Sequence, residues 1–291
     1  MNLPKRILMA TDFSEFGDRA AGVAMDFAAA VGATLDWTHA VEVSIESQPL
    51  FSTGPVSSPV DQASKLSALK LEDLKNHAIE RGLRSDSRGL RGSPAAAIVA
   101  HAAELEADLI VVGSHGHTGI RHALIGSVAE RIVREAGCSV LVVKGDRPLF
   151  EGLPLVLGED LSPSTSIARD IATSLAETLD LPLHIVHAID AGIPYLSTLE
   201  IVLPTELVGN LYAEAKEQLE SIARESPSVR IANEEISSEH PSDAICAAAR
   251  KVDASLIVVG SHGRRGVERI LLGSTAEKVV RHAPCSIFVA R

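Results

Sequence analysis

Short, almost wholly apolar runs alternate along this chain with longer stretches whose apolar residues return every three or four positions. In the first half the runs are Ile7 to Ala10, LDWTHAV from Leu35, LIVVG from Leu109 and VLVVK from Val140. In the second they are Leu155 to Leu157, PLHIVHAI from Pro182, LIVVG from Leu256 and IFVA from Ile287. Unbroken apolar runs of this length predict strands covered on both faces, and the periodic stretches between them predict helices. Leu66, Leu69, Leu74 and Ala78 mark the apolar face of a helix over about 61–81, and a matching helix is expected over 206–225. Third strands fall near 84–90 and 229–236. Ser14, Ser162 before Pro163, Ser93 before Pro94, and Pro241 open further helices. Strands alternating with helices in this way predict an α/β fold with a mostly parallel, doubly wound sheet.

The pattern is written twice. Gly113 and Gly260, Gly126 and Gly273, Pro94 and Pro241, and Cys138 and Cys285 are each 147 positions apart, about half of the 291 residues. AERIVREAGCSVLVVK and AEKVVRHAPCSIFVAR agree at eight of sixteen positions. So long a period marks a duplicated domain rather than a solenoid repeat. Gly and Pro in KGDRPLFEGLP, residues 144–154, mark a linker, so the domains are expected at 1–146 and 152–291.

Composition narrows the function. A formal net charge of −11 leaves no surplus of Lys and Arg to neutralise nucleic-acid phosphates. No apolar stretch reaches the length of a signal peptide or a membrane span, which predicts a soluble, cytoplasmic protein without a membrane partner. The three cysteines form no CxxC pair and are expected to be reduced, with Cys138 and Cys285 in the core; Trp37 reads as packing. The chain carries no G-x4-G-K-[ST], no S-G-G-x-D-S loop and no G-x-S-x-G elbow, so neither a catalytic set nor a metal-ligand spacing emerges. His115-x-His117 is too little for a zinc site. An enzyme is therefore not expected.

The repeated chemistry lies in one loop. Gly113-x2-Gly116-x9-Gly126-Ser127 follows an apolar strand, and Gly260-x2-Gly263-x9-Gly273-Ser274 repeats it. Ser127 with Glu130, and Ser274 with Glu277, have the form of a capping box, so helices are expected to start at the serines. A helix start presents unpaired N–H groups, and glycines beside it admit a ligand to the main chain. The dipole contributes about 0.3–1 kcal/mol, whereas each hydrogen bond to a charged group contributes about 1.5–3 kcal/mol, so converging N–H groups decide phosphate binding. The alternative is structural: the glycines end strands or turn the chain, and the serines only cap.

VVGSHGHTGIRHALIGS and VVGSHGRRGVERILLGS, with ATDFS ending the first strand and APCSIFVAR closing the chain, resemble the universal stress protein family, tandem type, in its ATP-binding branch. The resemblance covers nearly the whole chain. It implies two Rossmann-like domains, each a five-stranded parallel sheet in the order 3-2-1-4-5 with helices on both faces. It also implies pairing of the two halves as a pseudo-dimer, a homodimer of chains, and an unidentified protein partner. The implied ligand is an adenine nucleotide, ATP, ADP or AMP, with Mg as an accompanying ion, in a regulatory rather than metabolic role. Carried over, the phosphates fall on Gly113, His115, Gly116, Gly126, Ser127 and Val128, and on Gly260, His262, Gly263, Gly273, Ser274 and Thr275. Ala10, Thr11 and Asp12, and Gly158 and Asp160, fall near ribose and adenine, and Val41 and Ile189 near the base.

Several positions carry two readings. Asp12 and Asp160 either meet the ligand or cap the following helix; His115 and His262 either touch phosphate or brace the loop. Arg264 and Arg265 either screen phosphates, where the first half has His117 and Thr118, or are solvated loop charges. Glu159, where the first half has Thr11, places an extra carboxylate near the second pocket. Two further functions stand beside nucleotide binding: recognition of a partner or apolar ligand through 44–60 and 191–204, and slow ATP hydrolysis.

Overall fold

A computed structural model describes residues 3–42, 59–116, 125–145, 149, 151–189, 205–237, 239–262 and 272–291. Most of 44–60, all of 191–204, and His117, Thr118, Gly263, Arg264 and Arg265 lie outside them. The chain divides into two compact units, Pro4–Asp146 and Arg147–Arg291, the latter joined by the first three residues.

In the first unit the described elements are β1 (Arg6–Ala10), α1 (Glu15–Val31), β2 (Thr34–Val41), α2 (Pro59–Glu80), β3 (Ser85–Arg91), α3 (Pro94–Glu104), β4 (Leu109–Gly113), α4 (Ser127–Glu135) and β5 (Ser139–Val143). The second repeats them: β6 (Leu155–Gly158), α5 (Ser166–Leu179), β7 (Leu183–Ala188), α6 (Thr205–Glu225), β8 (Ile231–Ser237), α7 (Pro241–Lys251), β9 (Leu256–Gly260), α8 (Ser274–His282) and β10 (Ser286–Ala290). Strand order is β3-β2-β1-β4-β5 in one unit and β8-β7-β6-β9-β10 in the other, with every pair parallel. Each is the expected 3-2-1-4-5 sheet.

Alternate residues of a strand point to opposite faces, so full burial of consecutive residues means that both faces are covered. Ile7, Leu8 and Met9 of β1 are wholly buried, as are Leu155, Val156 and Leu157 of β6. Each such side chain contributes about 1.5–3 kcal/mol of transfer free energy. Trp37, also wholly buried, donates its indole N–H to Ser85 Oγ at 2.9 Å, which satisfies the one polar atom it brings into the core.

Three local expectations change. On α2, Leu66 and Leu69 are 58% and 66% exposed, and the buried face runs through Ser67, Leu71 and Ala78. Ser67 tolerates the core side because its hydroxyl donates to Ser64 O within the helix. Ser93 and Pro94 open α3 as expected, Ser93 as the N-cap without a side-chain cap bond. Ser162 and Pro163 open a 3-10 turn, Pro163–Thr165, and α5 follows only at Ser166. Cys285 is buried as expected, whereas Cys138 is only half-buried. Among the described residues no helix is long and apolar enough to cross a membrane.

Candidate functional site

The site is built at the carboxyl edge of the sheet, where β1 hands over to α1. Thr11 N–H continues the ladder onto Thr38 O at 3.0 Å, and Thr11 O meets His39 Nδ1 at 2.8 Å. The chain then turns through Phe13, whose φ of 59° is left-handed. Thr11 Oγ1 accepts the Phe13 N–H at 2.9 Å, and Asp12 Oδ1 accepts both N–H and Oγ–H of Ser14, at 3.0 and 2.6 Å. Ser14 in turn accepts the Gly17 N–H at 3.1 Å and is the N-cap of α1, as the sequence predicts. The cap is therefore the serine, and the aspartate fixes the cap.

Two glycines enclose the Asp12 carboxylate. A Cβ on Gly17 would lie 2.7 Å from Oδ1, and one on Gly116 would lie 2.6 Å from Oδ2. A Cβ at either position would push the Asp12 carboxylate from its place, and glycine leaves it there. Asp12 thus sits between the first turn of α1 and the loop that leaves β4. Two segments a hundred residues apart converge, as the neighbouring positions of β1 and β4 require.

The glycine loop is clasped at its neck. Ser114 N–H donates to Val143 O at 2.9 Å, and Gly126 N–H returns to Ser114 O at 2.7 Å. The second unit has the same clasp: Ser261 N–H to Ala290 O at 2.9 Å and Gly273 N–H to Ser261 O at 2.8 Å. This closure corrects the expected capping boxes. With its N–H held by Ser114, Gly126 turns the chain in an extended conformation (φ −73°, ψ 147°), and its carbonyl accepts the Glu130 N–H. Gly126 is the N-cap and Ser127 the first helical residue; Gly273 and Ser274 repeat this. A glycine cap has no side chain, so neither helix start has a side-chain cap.

His115 and His262 are braced by their serines, Ser114 Oγ at 3.0 Å and Ser261 Oγ at 2.9 Å from Nδ1. The His115 ring also lies 5.3 Å from that of Phe16. His262 Nε2 is buried without a hydrogen-bond partner among the described residues. Helix starts without a side-chain cap, a glycine at position 116 packed against the Asp12 carboxylate, and an orphaned imidazole nitrogen fit a phosphate-bearing ligand. Val41 ends β2, at the same edge as Asp12, with its carbonyl held by Gly92 N–H at 3.0 Å. Ile189 follows β7 and donates to Ser237 O at 2.8 Å. Among the described residues no group of three or more His, Cys, Asp or Glu is placed to hold a metal ion.

The second unit builds the same turn from other residues. Asp160 Oδ1 accepts the Ser162 N–H at 2.9 Å and lies 3.0 Å from Thr165 Oγ1. The extra carboxylate, Glu159, is turned inward and paired. Its side chain is fully buried: Oε1 accepts the Leu161 N–H at 2.7 Å and the Thr165 hydroxyl, and Oε2 accepts Arg169 Nε at 2.9 Å. That bond, ahead of the cost of its own burial, holds the Arg169 guanidinium above its ordinary pKa. A buried carboxylate needs such pairing, and the first turn of α5 supplies it.

With the geometry in place, the comparisons with known proteins decide the family. The sequence profile described as "Universal stress protein family" matches residues 4–144 and 154–291. This chain belongs to the universal stress protein family. A universal stress protein of Mycobacterium tuberculosis is 31% identical over 194 residues, 64% of this chain and 62% of that protein, so the match spans under two thirds of the relative's length. One from Methanocaldococcus jannaschii is 38% identical over 144 residues, 49% of this chain and 84% of that protein. Among solved structures, a universal stress protein from Archaeoglobus fulgidus superposes with a TM-score of 0.71 at 22% identity, covering 98% of this chain and 96% of its own, which establishes the shared fold.

Sequence reasoning missed Gly17, Ser114, Ser261, His39 and His187. The last two had a visible signal, since His-Ala stands near the end of both second strands.

Proposed function

We propose that this universal stress protein binds adenine nucleotides, ATP or AMP, at the carboxyl edge of its sheets, and that occupancy regulates its shape or associations instead of driving turnover. The observation that carries the reading is the Asp12 carboxylate enclosed by Gly17 and Gly116, next to a helix start capped by glycine alone. Main-chain N–H groups of the glycine loop and of Ser127 and Val128 receive the phosphates. Each charged hydrogen bond contributes about 1.5–3 kcal/mol, so two or three outweigh the helix dipole. Asp12, and Asp160 in the second unit, meet the ribose and adenine. Among the described residues of the site none is an activated nucleophile, and the reading is one of binding; Mg enters only as the nucleotide's counter-ion.

Thermal unfolding with and without ATP tests the reading. Ligand at a hundred times its Kd stabilises the folded state by about 2.7 kcal/mol. Gly116→Ala, whose Cβ would stand 2.6 Å from Asp12 Oδ2, removes the first unit's share of that gain. No shift with millimolar ATP or AMP on the unaltered protein sinks the proposal.

A further inference from the structure

At the point where β1 ends, Thr11 gives its N–H to Thr38 O and receives on its carbonyl the imidazole of His39, Nδ1 to O 2.8 Å. A carbonyl only accepts, so Nδ1 carries the proton, in the neutral and in the charged ring alike. The bond sits directly before the turn: the next residue is Asp12, and the one after it, Phe13, is left-handed. Such a conformation is costly for a residue with a β-carbon and persists only where neighbours hold it.

The second unit repeats the arrangement in different surroundings. Glu159 N–H donates to Val186 O at 2.9 Å, its carbonyl meets His187 Nδ1 at 2.8 Å, and Leu161 has φ 60°. The residue holding the turn from within is a threonine in one unit and a buried glutamate in the other. Phe13, whose ring lies 4.7 Å from His39 and 4.9 Å from Lys70 Nζ, is replaced by Leu161. The two turns share the left-handed residue, a side-chain oxygen on its N–H, an aspartate on the N–H of the serine that follows, and the imidazole-to-carbonyl bond, the one of these that reaches in from the second strand. A histidine that only filled space would have no reason to keep the same ring nitrogen on the same carbonyl while its packing partners changed.

We propose that His39 and His187 are positioning residues: imidazole struts that hold the turns after β1 and β6 and so fix Asp12 beside Gly116, and Asp160 at the matching place of the second unit. That the fixed aspartates meet a nucleotide rests on the function proposed above; the strut itself stands without it. His39→Leu with His187→Leu removes both donors, and His39→Asn with His187→Asn returns an N–H close to the place of Nδ1.

Two readouts separate the strut from the ligand. In the nucleotide-free full chain, the amides of Phe13, Ser14, Leu161 and Ser162 exchange with deuterium at least tenfold faster in the leucine pair and return toward the wild-type rate in the asparagine pair. By calorimetric titration, the Kd for ATP rises about tenfold in the leucine pair and recovers in the asparagine pair, as loss and return of one hydrogen bond predict. Unchanged exchange at the four amides overturns the strut. A wild-type chain that binds ATP, with a leucine pair that binds equally well, overturns the positioning role. A wild-type chain that binds no ATP overturns the proposed function, and exchange then decides the strut alone. Should the leucine pair fail to fold, the imidazole nitrogen spectrum of the wild type decides: an Nδ1–H tautomer at His39 supports the strut, and an Nε2–H tautomer overturns it.

Discussion

At the turn after its first strand, one unit holds Thr11, Gly17 and Ala21, while the other holds Glu159, Thr165 and Arg169 in the same three places. The backbone does the same thing in both: the residue three beyond the strand is left-handed, and its N–H is taken by a side-chain oxygen, Thr11 Oγ1 at 2.9 Å or Glu159 Oε1 at 2.7 Å. A short hydroxyl needs no help. A carboxylate in the same place brings a charge into the core, and Arg169 and Thr165 are what make that tolerable. The difference extends to the helix start. Gly17 lies where a Cβ would strike Asp12, whereas Thr165 closes a 3-10 turn and gives its hydroxyl to Glu159, with Asp160 Oδ1 3.0 Å from the same oxygen. The turn is the invariant and its chemistry is negotiable.

The sharpest way to break this comparison is to remove one partner of the ion pair. Arg169→Ala leaves the Glu159 carboxylate buried with two neutral donors, and breaking such a pair costs about 3–5 kcal/mol. Because the Arg169 side chain is 26% exposed, the lower end, about 3 kcal/mol, is expected from urea unfolding followed by circular dichroism. Installing the first unit's set, Glu159→Thr with Thr165→Gly and Arg169→Ala, recovers most of the loss. A single Arg169→Ala chain less than about 1 kcal/mol below wild type would make the pair no better than a surface bridge.

The reverse exchange is smaller. Gly17→Thr inserts a Cβ 2.7 Å from Asp12 Oδ1 and 3.0 Å from Thr11 Oγ1, in a unit without the 3-10 turn that makes room for Thr165. Overpacking of this kind costs about 1–3 kcal/mol. A stability equal to wild type in the same urea titration would mean that α1 retreats freely and that Gly17 is not a spacing residue.

These outcomes bear on what the sequence makes legible. The architecture is readable because LIVVG, twice, leaves no polar face for either strand, and because the repeat fixes the second half once the first is read. The convergence of Asp12 and Gly116 follows from strand order. What escapes is set by tertiary bonds. Ser127-x-x-Glu130 has the letters of a capping box, but the Gly126 N–H to Ser114 O bond moves the cap back one residue. Leu66 and Leu69 have helical spacing on the wrong face, and nothing in the letters says that Ser67 satisfies itself on Ser64. Glu159 reads as a pocket charge because its partner stands ten residues on, where the first half has a silent alanine.

The smallest effect tests whether the units keep an interaction or its sign. Arg88 on β3 pairs with Glu104 on α3 at 2.9 Å; 147 positions on, Glu235 on β8 pairs with Lys251 on α7 at 3.3 Å, with the charges exchanged. Both are largely exposed, so attraction across the strand and helix is retained while polarity drifts, at a worth of about 0.2–1 kcal/mol. Arg88→Glu alone is expected to cost about 0.5 kcal/mol, and Arg88→Glu with Glu104→Lys to return within a few tenths. One asymmetry remains: buried His101, 3.4 Å from Arg88 and 3.6 Å from Glu104, has no counterpart at Ala248, and burial, then Arg88, holds its pKa down. In 1 M salt, where the screening length is about 3 Å, the single and double variants should converge. A gap that survives the salt would place the energy in the packing of His101, not in the pair.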